Sequence, residues 1–247
     1  MNNLLRKSLY LRSKLQPFIP VNRLICFFLG IVLMASWKAE QPGYYEISAD
    51  SFNLLPEIKR PVDAYKPNYP LLDAAVFHAT NKARQQFGLK PFQYAAGLHQ
   101  TAESYAKDMI QMDFYNHVHP YSPSLATLAQ RVQVHTWAFR RTAENIGQYQ
   151  VIDTTPEYCC RRKRDGTFEY FNCENKTLFY PLSYAGFAQY AVEQWLNSPS
   201  HRRTVLDSTY THLGCAARIS KDSYQACKVP FGRFVQNFGA LKPEIVR

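Results

Sequence analysis

The sequence predicts an α/β protein, a layered α-β-α sandwich with a central sheet covered by helices on both faces. Three observations predict it. Apolar residues recur at helical spacing through residues 71–112 and again through 185–196. Strand-like runs gather late, at Leu213–Ile219, Tyr224–Val229 and Phe234–Phe238. The 247 residues are 46% apolar, with 16 Phe and 17 Tyr, enough for one domain with a sizeable core and appendages. Helices first and strands last assemble most simply as a sheet flanked by helices.

The elements follow in chain order. Residues 1–40 read as a signal peptide or an N-terminal anchor. Arg6, Lys7, Arg12, Lys14 and Arg23 precede the apolar run Leu24–Ala35. That run is shorter than the ~20 residues a membrane span needs, so no stable span beyond a possible anchor is expected. No clean small-x-small cleavage site follows, since Ala39 would have Trp37 at −3. Cys26 precedes most of the run and is badly placed for acylation. Residues 41–70, rich in Pro and Tyr, read as a linker or extended arm.

A helix carrying Leu72, Ala75, Val76, Ala79 and Ala83 then ends before Gly88, a plausible C-terminal cap. A second, with Leu98, Ala102, Tyr105, Met109 and Met112 on one face, stops near Asn116, and Pro120 prevents its return. A short third helix covers 124–134. Residues 148–182 read as an insertion, with strand-like stretches on either side of the Asp165-Gly166 hairpin signal. A fourth helix buries Ala185, Ala188, Val192, Trp195 and Leu196. Ser198 then caps a helix that starts at Pro199 and runs to about Leu206. Residues 71–240 form the main domain, and 241–247 a tail.

Charge excludes little by itself. Of the net +10, five positive charges lie in residues 1–37, leaving 24 basic against 19 acidic residues. The only tight basic cluster is Arg161–Arg164 beside a turn, so a nucleic-acid partner is not expected. Apart from Cys26 the chain has Cys159, Cys160, Cys173, Cys215 and Cys227. No CxxC pair marks a zinc site, and export favours disulfides. Cys215 and Cys227, symmetric about residue 221, are expected to pair across a hairpin, and Cys173 with Cys159 or Cys160.

Three stretches carry chemistry. His201 falls at about the third position of the capped helix, where backbone N–H groups disfavour protonation and leave an imidazole able to bind a metal. His117 and His119 form a His-x-His pair whose side chains would point the same way in an extended segment. Glu144 follows Arg140 and Arg141 and could be a surface acid paired with either.

The wording around these residues resembles the CAP superfamily of cysteine-rich secretory, antigen 5 and pathogenesis-related proteins, and its bacterial SCP-like branch most of all. The carrying phrases are Phe114–Pro120, Glu144-Asn145-Ile146, Trp195–His201, Thr211–Gly214 and Val235–Gly239. The resemblance spans about residues 71–240. It implies an α-β-α sandwich of CAP type with a mostly antiparallel sheet, and a cleft lined by His117, Glu144 and His201. Eukaryotic members often add a glutamate three residues after the helix tryptophan. That position here is Ser198, and Glu193 lies on a different face, so His119, Glu193 and Ser198 are accessory positions only.

The resemblance implies an exported binding module, secreted, periplasmic or envelope-anchored. Its cleft would hold zinc or another divalent cation and a small or lipid-like ligand. The alternative is a zinc-assisted hydrolase or peptidase with Glu144 as general base. No H-E-x-x-H or Gly-x-Ser-x-Gly phrase accompanies it. A third reading gives the work to the insertion, whose Arg161–Arg164 tip would meet a cell-envelope component.

Overall fold

The computed structural model describes residues 43–220 and 227–242. The expected signal or anchor, residues 1–40, lies outside the described residues, as does the tail from 243 onward. Helices are α1 (Ala49–Asn53), α2 (Tyr69–Gln86), α3 (Ala96–Gln111), α4 (Leu128–His135), α5 (Tyr184–Asn197) and α6 (Pro199–Leu206). Strands are β1 (Gln93–Tyr94), β2 (Phe139–Gln150), β3 (Tyr158–Arg162), β4 (Phe168–Asn172), β5 (Leu178–Phe179), β6 (His212–Ile219) and β7 (Phe231–Leu241).

The main sheet has the order β1-β6-β7-β2. Only the short β1–β6 pairing is parallel, and β6–β7 and β7–β2 are antiparallel. Period-2 alternation along the strands divides the interior into two cores. Leu213, Cys215, Ala217, Phe234 and Phe238 face α2 and α5. Ala216, Val235 and Ile146 face α3 with Ala102, Tyr105 and Met109. An α-β-α sandwich results, as the sequence predicts.

Local sequence explains the helix ends. Asn68 caps α2 through its side chain, Tyr69 and Pro70 supply the first turn, and Gly88 leaves the helix at φ 70°. Thr127 and Gln130 form a reciprocal capping box on α4. Pro199 opens α6 as expected, but the Ser198 side chain makes no capping bond and lies 3.3 Å from Ser200 Oγ.

Three expectations are corrected. Residues 43–70 are not a free arm. They form α1 and a 3-10 turn at Pro56–Lys59, and Phe52, Ile58 and Val62 are buried against the body. Apolar residues spaced too irregularly for a helix can still each find a pocket.

The disulfide framework also differs. The bonds are Cys159–Cys173 and Cys160–Cys227, and Cys215 is free and buried. The β6–β7 register pairs Cys215 with Gln236 and Ile219 with Gly232, so the hairpin centre lies several residues beyond 221. Cys215 turns its thiol into the α2 core while Cys227 anchors the insertion. Burial raises that thiol's pKa well above its ordinary value, an inert environment. The third correction is Tyr224–Val229. Residues 221–226 lie outside the described residues, and Lys228–Pro230 is not strand.

The segment read as an insertion forms its own three-stranded sheet, β3-β4-β5, turning at Asp165-Gly166 where Gly166 has φ 84°. Its disulfide to Cys227, and the Tyr158 and Tyr170 hydroxyls donating to the Cys227 and Lys228 carbonyls, tie it to the approach to β7.

Gly214 on β6 faces the α3 backbone at Leu98 and His99 so closely that a Cβ would overlap it. Gly214→Ala is expected to lower stability by about 2–3 kcal/mol through overpacking, measured as a shifted urea midpoint at unchanged slope.

Candidate functional site

Strand β2 stands at the open edge of the main sheet, and its side chains alternate between the two helical layers. Glu144, in register with Asn237, faces the α3–α4 side together with Ile146. Asn145 faces the other way. Its Nδ2 donates to the His201 carbonyl at 3.3 Å and to Gln236 Oε1 at 3.1 Å. The outer carbonyl of Ile146 accepts from Trp195 Nε1 at 2.9 Å, which satisfies part of an otherwise unpaired edge.

Glu144 is not the surface acid the local sequence suggested. Its side chain is 3% exposed and pairs with Arg131 of α4, itself 5% exposed. Arg131 Nη2 donates to both carboxylate oxygens at 3.0 and 2.9 Å and to the His117 carbonyl at 3.1 Å. Nη1 donates to the Leu125 and Ala126 carbonyls. The guanidinium lies 3.6 Å over the Tyr105 ring. The Tyr105 hydroxyl in turn donates to the Asn116 carbonyl, fixing the loop that carries His117. Arg140 is exposed, and Arg141 pairs with Asp207 instead.

His117 completes the relay. Its Nδ1 donates to Glu144 Oε1 at 2.9 Å, and its side chain is 52% exposed. Because a carboxylate only accepts, this bond places a proton on Nδ1 and turns Nε2 away from Glu144. His201 enters from α6, in the opposite helical layer. Burial first, and the nearby charge of His117 second, lower its pKa. The direction matches the expected neutral imidazole, but burial is the main cause in place of the helix N-terminus. The two rings, one oriented by Glu144 and one half-buried, lie near enough along β2 for His117 to act electrostatically on His201.

The accessory positions do not join them. His119 is 3% exposed and turned inward, its Nδ1 accepting from the Tyr121 and Ser122 N–H groups and its Nε2 3.6 Å from Asp108. The loop is not extended. Asp113 has φ 47°, and Asn116 accepts from the Val118 N–H, so residues two apart need not point together. Glu193 accepts from Gln189 and lines a separate hollow between α2 and α5. Ser198 bonds to Ser200.

Among the described residues no three His, Cys, Asp or Glu side chains are placed to hold one ion. Glu144 is a hydrogen-bond partner to an imidazole, since both its oxygens are engaged. Sequence reasoning missed Arg131, Tyr105 and Asn145. The one available signal was an arginine beside Val132 on the inner side of a short amphipathic helix.

Residues 77–238 match the CAP, or cysteine-rich secretory protein, family, which covers well over half of the chain. The chain belongs to that family. It is 24% identical over 139 residues to the uncharacterized protein YkwD of Bacillus subtilis, covering 56% of this chain and 39% of that protein. It is 25% identical over 139 residues to the uncharacterized membrane protein YlbC of the same organism, covering 56% and 29%. The chain therefore spans well under half of either relative. Among solved structures, an extracellular protein containing a SCP domain from Bacillus anthracis aligns with a TM-score of 0.46 at 22% identity, covering 70% of this chain and 41% of that one. An outer surface protein of Borrelia burgdorferi aligns with a TM-score of 0.45 at 17% identity, covering 68% and 90%.

Two predictions follow from the relay's burial. Arg131→Met should cost about 3–5 kcal/mol, because it strands a buried carboxylate, whereas Arg131→Met with Glu144→Gln should regain most of that loss. A double-mutant cycle read by chemical denaturation checks the coupling, and strict additivity would refute it. The second concerns acid. The folded pKa of His201 is lowered from 6.5, so the unfolded chain takes its proton first as pH falls. The stability is present above about pH 6.5 and lost below it, so His201→Asn should flatten the fall in Tm between about pH 7.5 and 5.5.

Proposed function

We propose that this CAP-family protein is an extracytoplasmic binding module that engages the polar part of a small or lipid-like ligand through His117 and His201. The observation that carries the reading is the buried Arg131–Glu144 pair that orients a half-exposed imidazole. A buried ion pair is a poor source of stability, and an apolar substitute of similar volume does as well or better. Its use here is positional: it gives His117 a fixed tautomer and a fixed direction.

Zinc or a similar cation fits this donor set only in part. His117 Nε2 and His201 would be its protein ligands, with Glu144 as the hydrogen-bond partner of the first. The ion would polarise and hold a ligand oxygen, completing its shell from that ligand or water. A hydrolase reading is weaker, because the Glu144 carboxylate is only 3% exposed and its charge is paired with Arg131.

The lipid-like half finds support elsewhere in the domain. A hollow of about 150 Å³ lies between α2 and α5, with Ala75, Ala79, Val192 and Leu196 as its apolar part and Lys82, Gln189 and Glu193 as its polar part, a mixed lining that suits a small amphiphilic group. The export reading is supported by the two disulfides, which persist in oxidising compartments. No helix among the described residues is long and apolar enough to cross a membrane.

Calorimetric titration of the full chain with zinc tests the site. One saturable site is expected, absent in His117→Ala/His201→Ala, whose unfolding free energy should stay within about 1 kcal/mol of the parent. Equal zinc affinity in that variant would remove the site assignment.

A further inference from the structure

The insertion and the N-terminal segment together enclose a second cleft, of about 340 Å³, that shares no residue with the histidine site. One wall is Val62–Tyr65 and the other is β4, β5 and the chain after them. Backbone bonds fix the two walls against each other. The Val62 N–H donates to the Leu182 carbonyl, the Leu182 N–H to the Val151 carbonyl and the Tyr184 N–H to the Arg60 carbonyl. Both disulfides brace the insertion, one within it and one to Cys227. The cleft is therefore built from anchored pieces and needs no ligand to hold it open.

Its surface is aromatic without being core. Phe168, Phe179 and Tyr170 line the interior, while Tyr65 and Tyr180 stand at the mouth, 46% and 70% exposed. Exposed rings gathered at one concave place contribute little to folding and mark a binding surface. The Asp63 carboxylate accepts from the Tyr65 and Lys66 N–H groups and so sets the mouth ring in position.

Charge narrows the occupant. The cleft's carboxylates are already engaged, Asp63 in that turn and Glu169 with Arg161 at 2.6 Å. The cations are not. Arg162 and Arg164 have no ion pair among the described residues, and Lys163 has only a 3.7 Å contact with Asp165. Arg162 is near enough to act electrostatically on the Tyr65 hydroxyl, and Lys163 lines the cleft itself. Flat rings that accept the C–H faces of a sugar, beside guanidinium groups that bind carboxylate bidentately, form one chemical pattern.

We propose that this cleft binds a carboxylated glycan chain, with sugar rings against Tyr65 and Tyr180 and its carboxylates at Arg162 and Lys163. This goes beyond the histidine-cleft reading and does not depend on it.

The test is calorimetric titration of the full, disulfide-bonded chain with tetragalacturonate, beside neutral maltotetraose. Single-site binding of the acidic sugar is expected, weakened about tenfold or more by Tyr180→Ala or by Arg162→Gln. Both residues are at the surface, so neither change should disturb folding, and an unchanged Tm checks this. Affinity should fall as salt rises. The His117→Ala/His201→Ala variant should bind like the parent. No saturable heat, equal binding of maltotetraose, or parent-like affinity in both cleft variants would overturn the proposal. Loss of binding in the histidine variant would overturn it too, by moving the glycan to the other site.

Discussion

The arrangement of the α3–α4 layer depends on one buried contact, the guanidinium of Arg131 against the carboxylate of Glu144. The chain between α3 and α4 has almost no regular structure of its own, only a 3-10 turn at Pro123–Leu125. Its shape comes from carbonyls that converge on Arg131, those of His117, Leu125 and Ala126. Tyr105 closes the arrangement from α3 by stacking under the guanidinium and holding Asn116. Removing Arg131 would leave the buried carboxylate only its bond to His117, and removing Glu144 would leave the buried guanidinium only carbonyls and a ring. Either charge would lose its main compensation in a low-dielectric interior. The loop, the helix and the edge strand therefore stand or fall together.

That contact is possible only because a strand offers alternate residues to opposite faces. Along β2, Glu144 and Ile146 serve the α3 layer while Asn145 reaches α6 through the His201 carbonyl. A strand inside the sheet would have had both layers sealed over it. At the edge the two layers come close enough for His117 of one to act electrostatically on His201 of the other. Trp195 is part of the same logic. By capping the Ile146 carbonyl it seals an edge that would otherwise invite another strand, and it pins α5 so that α6 begins where His201 is needed.

The sequence made much of this legible, and the limits have physical causes. The long helices announce themselves by apolar spacing, and Gly88, Pro199 and Asp165-Gly166 punctuate where the chain turns. Of the motif residues, His117 and Glu144 hydrogen-bond to each other, and the neighbouring Asn145 reaches the His201 carbonyl, contacts between distant segments that spacing alone does not reveal. Strand β2 was invisible as a strand. Its segment Phe139–Gln150 is polar, since its side chains join an ion pair, a carbonyl network and solvent where apolar packing would have left a pattern. Arg131 was missed for a related reason, because a partner 13 residues away in another element leaves no periodic trace. The cysteine pairing failed on register. Symmetry in sequence suggested a turn at 221, whereas the strands pair Ile219 with Gly232, and the free thiol belongs to the core.

The gradient of exposure across the relay bears on its purpose. Glu144 and Arg131 are 3% and 5% exposed, and His117, at the end of the chain of contacts, is 52% exposed. A device for stability alone would bury all three or replace the charged pair with apolar side chains. Here the charge is sealed and only the ring it orients reaches solvent, beside a second ring kept neutral by burial. Orientation of an exposed imidazole is the one property that apolar packing cannot supply. The aromatic cleft stands on a different foundation, the disulfides of the insertion and the backbone bridges to residues 60–62, and it contains neither His117 nor His201. Changes in one should therefore leave the other's geometry intact, which is the condition for a single domain to hold two ligands independently.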